Sequence, residues 1–352
     1  MIGRKATMKI KSAIASIILG LAAVVGGVSS SHAADALLIN GAGATFPYPI
    51  YSKWFDEFGK KHPDYHFNYQ SVGSGAGIRQ VSEMTVDFGA TDGPMNDDQL
   101  KASKQTLLHF PTVLGAVVPS YNIPGVNAEI NFTGTALAKI FMGQITKWND
   151  PELVKANPGI PLPDKAIVVV HRSDGSGTTY IWTDFLSKAS PEWSQKVGKG
   201  TSVNWPVGLG GKGNEGVSGF VKQTPYAIGY LELIYAVQNK EPYGKVQNSA
   251  GSFVKATLES VSAAAAGAVK SMPEDFRVSI TNPPGQAVYP VASFTWLLIP
   301  QEIKDHNKGN AIVEFLNWMV SDGQDFAGAL SYARLPKEVI EKEKAAITKI
   351  KY

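Results

Sequence analysis

Three short stretches hold the residues best able to do chemistry: "GAGATFP" (41–47), "SVGSGAGIRQ" (71–80) and "RSDGSGTTYIW" (172–182). Each follows a short strand-like run and precedes a helix-like one, and each places Gly, Ser and Thr where the helix begins. A helix start has unpaired backbone N–H groups and the positive end of the helix dipole. Glycine lets a ligand approach that backbone closely, so the pattern suits an anion. Gly and Ser also make plain turns and N-caps. The threefold recurrence is what favours one shared ligand.

Catalytic patterns fit poorly. "GLGGKGN" (208–214) has Gly213 after Lys212, so it is no phosphate-binding P-loop, and it reads as a flexible loop. "VGSGAG" does not match G-x-G-x-x-G. In "DGSGT", Asp174 stands where a nucleophile elbow has its first Gly. Ser176 would also need a base; His171 leaves the end of a strand, and no third triad member stands out. Among His62, His66, His109, His171 and His306 there is no H-E-x-x-H, and Pro63 breaks the helix that His62 and His66 would have to share. The chain has no cysteine, which excludes disulfides, thiolate metal sites and cysteine nucleophiles. No catalytic residue, metal or cofactor is expected.

Charge suits binding better. Arg172 offers a planar fork for a tetrahedral oxyanion. Asp174 is close enough to hold that guanidinium, or to form an ordinary surface ion pair with it. Asp92, in "DFGATDGP" (87–94), reads equally as a turn residue before Gly-Pro and as a site residue. An ionised carboxylate only accepts hydrogen bonds. In a site it would admit an anion that still carries a proton, such as phosphate or arsenate, and repel sulfate.

These loops need a scaffold. Strand-like runs stand at 36–40, 66–72, 87–91, 112–122, 166–170, 227–233 and 292–300. Helical patterns stand at 47–61, 310–323 and 336–350, the first with Ile50, Tyr51, Trp54, Phe55 and Phe58 at helical spacing. The alternation predicts an α/β fold. "SAAAAGAV" (262–269) reads as a packing helix. There is no solenoid repeat and no Pro/Ser linker. With 352 residues, 44% hydrophobic and 18% charged, the chain is globular and has room for two lobes.

The first residues are a different kind of sequence. Arg4, Lys5, Lys9 and Lys11 precede the apolar run 13–28, and Ser31 and Ala33 occupy the −3 and −1 positions of a cut after Ala33. That is the pattern of a cleaved secretory signal peptide, with no lipoprotein cysteine. The formal net charge of +3 includes those four basic residues, so the mature chain carries 3 − 4 = −1. A basic field for nucleic acid or anionic lipid is then absent.

Around these residues the chain resembles the periplasmic phosphate-binding proteins of ABC-type phosphate importers, the PstS-like family. The likeness runs through "GAGATFPYPIYSKW", "NYQSVGSGAGIRQ", "TVDFGATDGPM", "FPTVLGAVVPSYNIPG", "GQITKWNDP", "RSDGSGTTYIWTDFL", "WPVGLGGKGNEGV" and "AIGYLEL". The resemblance implies a type-2 periplasmic binding protein: two α/β lobes, a two-strand hinge near 110–113 and 289–294, and the ligand in the cleft. Its divisions would be a signal peptide at 1–33, lobe 1 at 34–112 and 291–352, and lobe 2 at 113–290. By resemblance the phosphate contacts are Thr45, Phe46 (through its N–H), Ser74, Asp92, Arg172, Ser176, Gly177 and Thr178, with Asp174 orienting Arg172. Family members often carry a second Ser where this chain has Gly75, which leaves only an N–H at that position. Implied with this are a monomer that closes on phosphate without chemistry, and delivery from the periplasm to a membrane permease driven by a cytoplasmic ATPase. Another oxyanion, arsenate or sulfate, and a phosphatase are the alternatives.

Overall fold

Short apolar strands followed by amphipathic helices can bury both faces of a sheet only by layering helices against it. The computed structural model, which describes residues 36–352, shows this arrangement, and the expected signal peptide lies outside those residues. In chain order, the first part holds β1 (Leu37–Gly43), α1 (Tyr48–Lys61), β2 (Tyr65–Ser71), α2 (Ser74–Ser82), β3 (Phe88–Thr91) and α3 (Asp97–Ala102). Next come β4 (Leu107–Tyr121), β5 (Asn131–Phe132), α4 (Gly134–Phe141), α5 (Pro151–Ala156), β6 (Val168–Arg172), α6 (Gly177–Ala189) and α7 (Pro191–Lys196). They are followed by β7 (Leu209–Gly211), α8 (Gly213–Gln223), β8 (Ala227–Glu232), α9 (Leu233–Asn239), β9 (Lys245–Gln247), β10 (Phe253–Val254) and α10 (Leu258–Ala266). The chain ends with β11 (Ala292–Pro300), α11 (His306–Met319) and α12 (Lys337–Ile347).

Eight strands form one sheet in the order β2-β1-β3-β11-β4-β8-β6-β7, and β10-β9-β5 form a small second sheet. The large sheet has two parallel ends. β1 is parallel to β2 and β3 at one, and β6 is parallel to β7 and β8 at the other. β11 and β4 join them and run antiparallel to each other and to their outer neighbours. β4 pairs with β11 from Leu107 to Ala116 and then with β8 from Val117 to Tyr121. A bulge interrupts the β11–β4 register between Thr295 and Trp296, leaving Thr112 as the extra residue.

Burial explains the helices. α1 turns Ile50, Tyr51, Trp54 and Phe58 fully into the core, with Phe55 packed partly buried beside them. α10 buries Ala264 and Ala265, so the small-residue run is a packing helix. One expectation is corrected. "GLGGKGN" is not a flexible loop: its Gly210 and Gly211 pair with His171 and Arg172 as β7, and α8 starts at Gly213. Local composition missed this because the strand is held by β6, not by its own residues.

Candidate functional site

The three loops open from strand ends as the sequence requires. β1 ends at Gly43 before α1, β2 at Ser71 before α2, and β6 at Arg172 before α6. Two further strand ends join them: β3 delivers Asp92, and β7 delivers Asn214 as the second residue of α8. Thr45, Phe46, Ser74, Asp92, Arg172, Ser176, Thr178 and Asn214 are all at most 3% exposed. Their contacts bring them into one polar cluster in an apolar surrounding, where an unpaired polar group is costly.

Arg172 and Asp174 form a fork-to-fork pair, Nε to Oδ1 at 2.8 Å and Nη2 to Oδ2 at 2.5 Å. The Gly213 N–H donates to Asp174 Oδ1 at 3.0 Å. Burial pushes the Asp174 carboxyl up, but the Arg172 bond and charge outweigh it and hold the carboxyl below its ordinary range. The Arg172 backbone N–H donates to the buried Tyr230 hydroxyl at 3.1 Å, and Tyr230 and Thr179 share a 2.6 Å hydroxyl bond. Arg172 Nη1 reaches Thr178 Oγ1 at 3.3 Å.

Asp92 faces different forces. It is 1% exposed, and burial pushes its carboxyl up to about 7, against the pull of the Thr295 hydroxyl and the Arg172 charge. Thr295 Oγ1 donates to Oδ1 at 2.8 Å. Oδ2 lies 3.5 Å from Ser74 Oγ, and Ser74 Oγ also accepts the N–H groups of Gly177 at 3.0 Å and Asp92 at 3.3 Å. Both Ser74 lone pairs are thus filled, and its proton is its remaining capacity.

Loops two and three meet. Gly75 N–H donates to Gly175 O at 2.9 Å, so it ties the loops together and is not a free donor. The Gly177 N–H is likewise taken by Ser74, and the Ser176 N–H by Thr201 O at 2.8 Å. Ser176 Oγ caps α6 by accepting the Thr179 N–H at 3.0 Å. The contact needs glycine. Gly73 has φ +95°, and a Cβ there would strike the Asp174 carboxylate. A Cβ on Gly177 would lie 2.6 Å from Asp92 Cβ, N and Oδ2.

Among the described residues, the backbone N–H groups of Thr45, Phe46, Ser74 and Thr178 have no acceptor. Buried N–H groups are almost always paired. Four orphaned donors beside a guanidinium and the Asp92 carboxyl make a site for a small oxyanion with a proton to donate. No group of three or more metal-ligating side chains occurs among the described residues. His171 stacks on Trp205, ring centroids 4.8 Å apart, and its Nδ1 lies 2.9 Å from Arg172 O.

Sequence reasoning missed Asn214 and Thr295. Asn214 follows a Gly-rich strand end at a helix start, the same signal as the three loops. Thr295 sits within an apolar strand, and only the pairing of β11 with its neighbours brings it to Asp92.

Parallel strand ends at both sides of a crossing strand pair, with buried donors gathered between them, define the binding-protein class of architecture. Residues 28–323 match the PBP superfamily domain. The phosphate-binding protein PstS of Pasteurella multocida is 46% identical over 312 residues, covering 88% of this chain and 90% of the relative. Its namesake in Xylella fastidiosa is 44% identical over 317 residues, 90% and 86% of the two chains. Among solved structures, the periplasmic phosphate-binding protein PfluDING superposes with a TM-score of 0.69 at 21% identity, covering 88% and 93% of the two chains. An ABC-type phosphate transport receptor from Vibrio cholerae gives 0.55 at 17%, covering 85% and 100%. At those identities the structures speak for the fold. The chain belongs to the PBP superfamily and, within it, to the PstS family.

Proposed function

We propose that this protein captures inorganic phosphate outside the cytoplasm and hands it to an ABC importer. The observation that carries the reading is the set of four orphaned buried N–H groups beside Arg172 and a carboxyl poised near 7. Thr45, Phe46, Ser74, Arg172, Ser176 and Thr178 supply donors, and Asp92 accepts the ligand's own proton. Gly177 belongs with them as a phosphate contact, its N–H turning from Ser74 Oγ to the ligand when phosphate is bound, and Asp174 steadies Arg172. The names of the relatives and the resemblance of the motifs support phosphate as the ligand.

Residues 34–112 and 291–352 form one lobe in this reading and 113–290 the other, with β4 and β11 as the hinge. The place where β4 changes partner, between Ala116 and Val117, supports it. Phosphate bridges the lobes and shifts a hinge equilibrium toward the closed form. The protein acts as a monomer, without a cofactor and without catalysis, and its partners are the permease subunits and their ATPase. Residues 1–33 act as the export signal. No helix among the described residues is long and apolar enough to cross a membrane.

Titration calorimetry of the purified chain with phosphate and sulfate tests this, together with an assay for hydrolysis of a generic phosphate ester. Tight, stoichiometric phosphate binding without hydrolysis is the expected result. Failure to bind phosphate, or ester turnover, overturns it.

A further inference from the structure

Asn214 is fully buried, and its contacts settle which way its amide faces. Oδ1 accepts the Glu232 N–H at 2.9 Å, so Nδ2 is turned toward the loops. Nδ2 has two protons. One goes to Thr45 Oγ1 at 2.7 Å and the other to Thr178 Oγ1 at 3.2 Å. Each of these hydroxyls has a second donor. Thr45 Oγ1 also takes the Asn214 N–H at 3.2 Å, and Thr178 Oγ1 takes Arg172 Nη1 at 3.3 Å.

A hydroxyl has two lone pairs and one proton. With both lone pairs occupied, neither threonine can accept anything further. Each keeps its proton, and neither hydroxyl donates to an acceptor among the described residues. Thr45 comes from the loop after β1 and Thr178 from the loop after β6, so a single amide imposes the same polarity on both ends of the sheet.

We propose that Asn214 is a positioning residue for specificity, which commits the Thr45 and Thr178 hydroxyls as donors and so fixes which ligand oxygens must accept. This rests on the phosphate reading of the site and deepens it. With these hydroxyls committed, Asp92 is the acceptor left for the ligand's proton. The ligand therefore binds in one orientation, its P–OH toward Asp92 and bare oxygens toward Thr45 and Thr178. A ligand that presents to the threonines a group able only to donate, such as an ammonium, meets donor against donor.

Asn214→Leu keeps the side chain's approximate size and removes the amide, and the threonine hydroxyls then turn freely. Phosphate affinity by calorimetry falls on the order of 100-fold, as for two lost bonds. The decisive measurement is a double-mutant cycle. In a Thr45→Val/Thr178→Val background, Asn214→Leu costs less than about 3-fold more, because the groups it acts through are gone. The full loss reappearing in that background shows Asn214 to be merely structural and overturns the proposal. So does unchanged affinity of Asn214→Leu in the wild-type background. Should Asn214→Leu not fold, judged by thermal unfolding, Asn214→Ala removes the same donors without the branched end and enters the same cycle. A wild-type chain that binds no phosphate refutes the reading of the whole site, an outcome distinct from additivity in the cycle.

Discussion

The Thr295 hydroxyl should set the pH at which the site stops rejecting sulfate. Thr295 Oγ1 holds Asp92 Oδ1 at 2.8 Å, inside a cluster where burial has pushed Asp92 up to about 7. Arg172 and Asp174 act on the same carboxyl from the loop after β6, and the buried Glu232 carboxyl from the end of β8. A hydrogen bond to a charged group contributes about 1.5–3 kcal/mol. At 1.36 kcal/mol per unit, Thr295→Val raises the Asp92 pKa by roughly one to two units. The sign follows from Asp92's two states. Above its pKa, Asp92 is an acceptor and repels a ligand without a proton. Below it, Asp92 is a donor and welcomes one. Sulfate does not titrate between pH 5 and 9, so its affinity reports Asp92 alone. In the wild type, sulfate binding strengthens as the pH falls through about 7. In Thr295→Val the same rise comes at about 8–9, which makes sulfate binding roughly 5- to 10-fold tighter than wild type at pH 8. Calorimetric sulfate titrations at intervals from pH 5 to 9 read this directly, and Asp92→Asn should abolish the pH dependence. Equal midpoints in wild type and Thr295→Val would refute the reasoning, as would a flat wild-type profile.

Three more outcomes can be checked. Arg172→Ala leaves the partly buried Asp174 without its partner and should weaken phosphate binding by about 2–5 kcal/mol, read by calorimetry. Gly177→Ala drives a methyl to within 2.6 Å of Asp92 and should push the loop after β6 away from that carboxyl, lowering phosphate affinity by at least about 100-fold while circular dichroism stays native. Glu343 in α12 is fully buried with both carboxylate oxygens unpartnered among the described residues, and burial pushes its pKa well up. The folded chain then keeps a proton that the unfolded chain loses, so stability falls as the pH rises above the ordinary glutamate range, by about 1.4 kcal/mol per unit from this group. Glu343→Gln should remove that share of the slope in denaturant unfolding between pH 5 and 8.

Much of the fold can be read from local pattern. β11 lies at 292–300, as its strand-like run predicts, and α1 begins within a residue of its predicted start because Pro47 and the apolar spacing fix it. The strands β5, β7, β9 and β10 have two or three residues each and carry no periodicity to detect. Their partners alone make them strands. The three Gly/Ser loops and Arg172 with Asp174 are visible for a similar reason: a strand end, a turn and a helix start are short-range events, and the two charges are neighbours in the chain.

The sequence by itself thus determined the alternation of strands and helices, the anion-suited loops and the choice of charged residues. It could not decide which loops meet, because the Asn214–Thr45 bond joins residues 169 positions apart and the Thr295–Asp92 bond joins residues 203 apart. Those pairings depend on sheet order, with β11 inserted between β3 and β4. The poise of Asp92 is tertiary for the same reason. A free aspartate titrates near 4, and only the burial and hydrogen bonds that other segments impose bring this one to about 7.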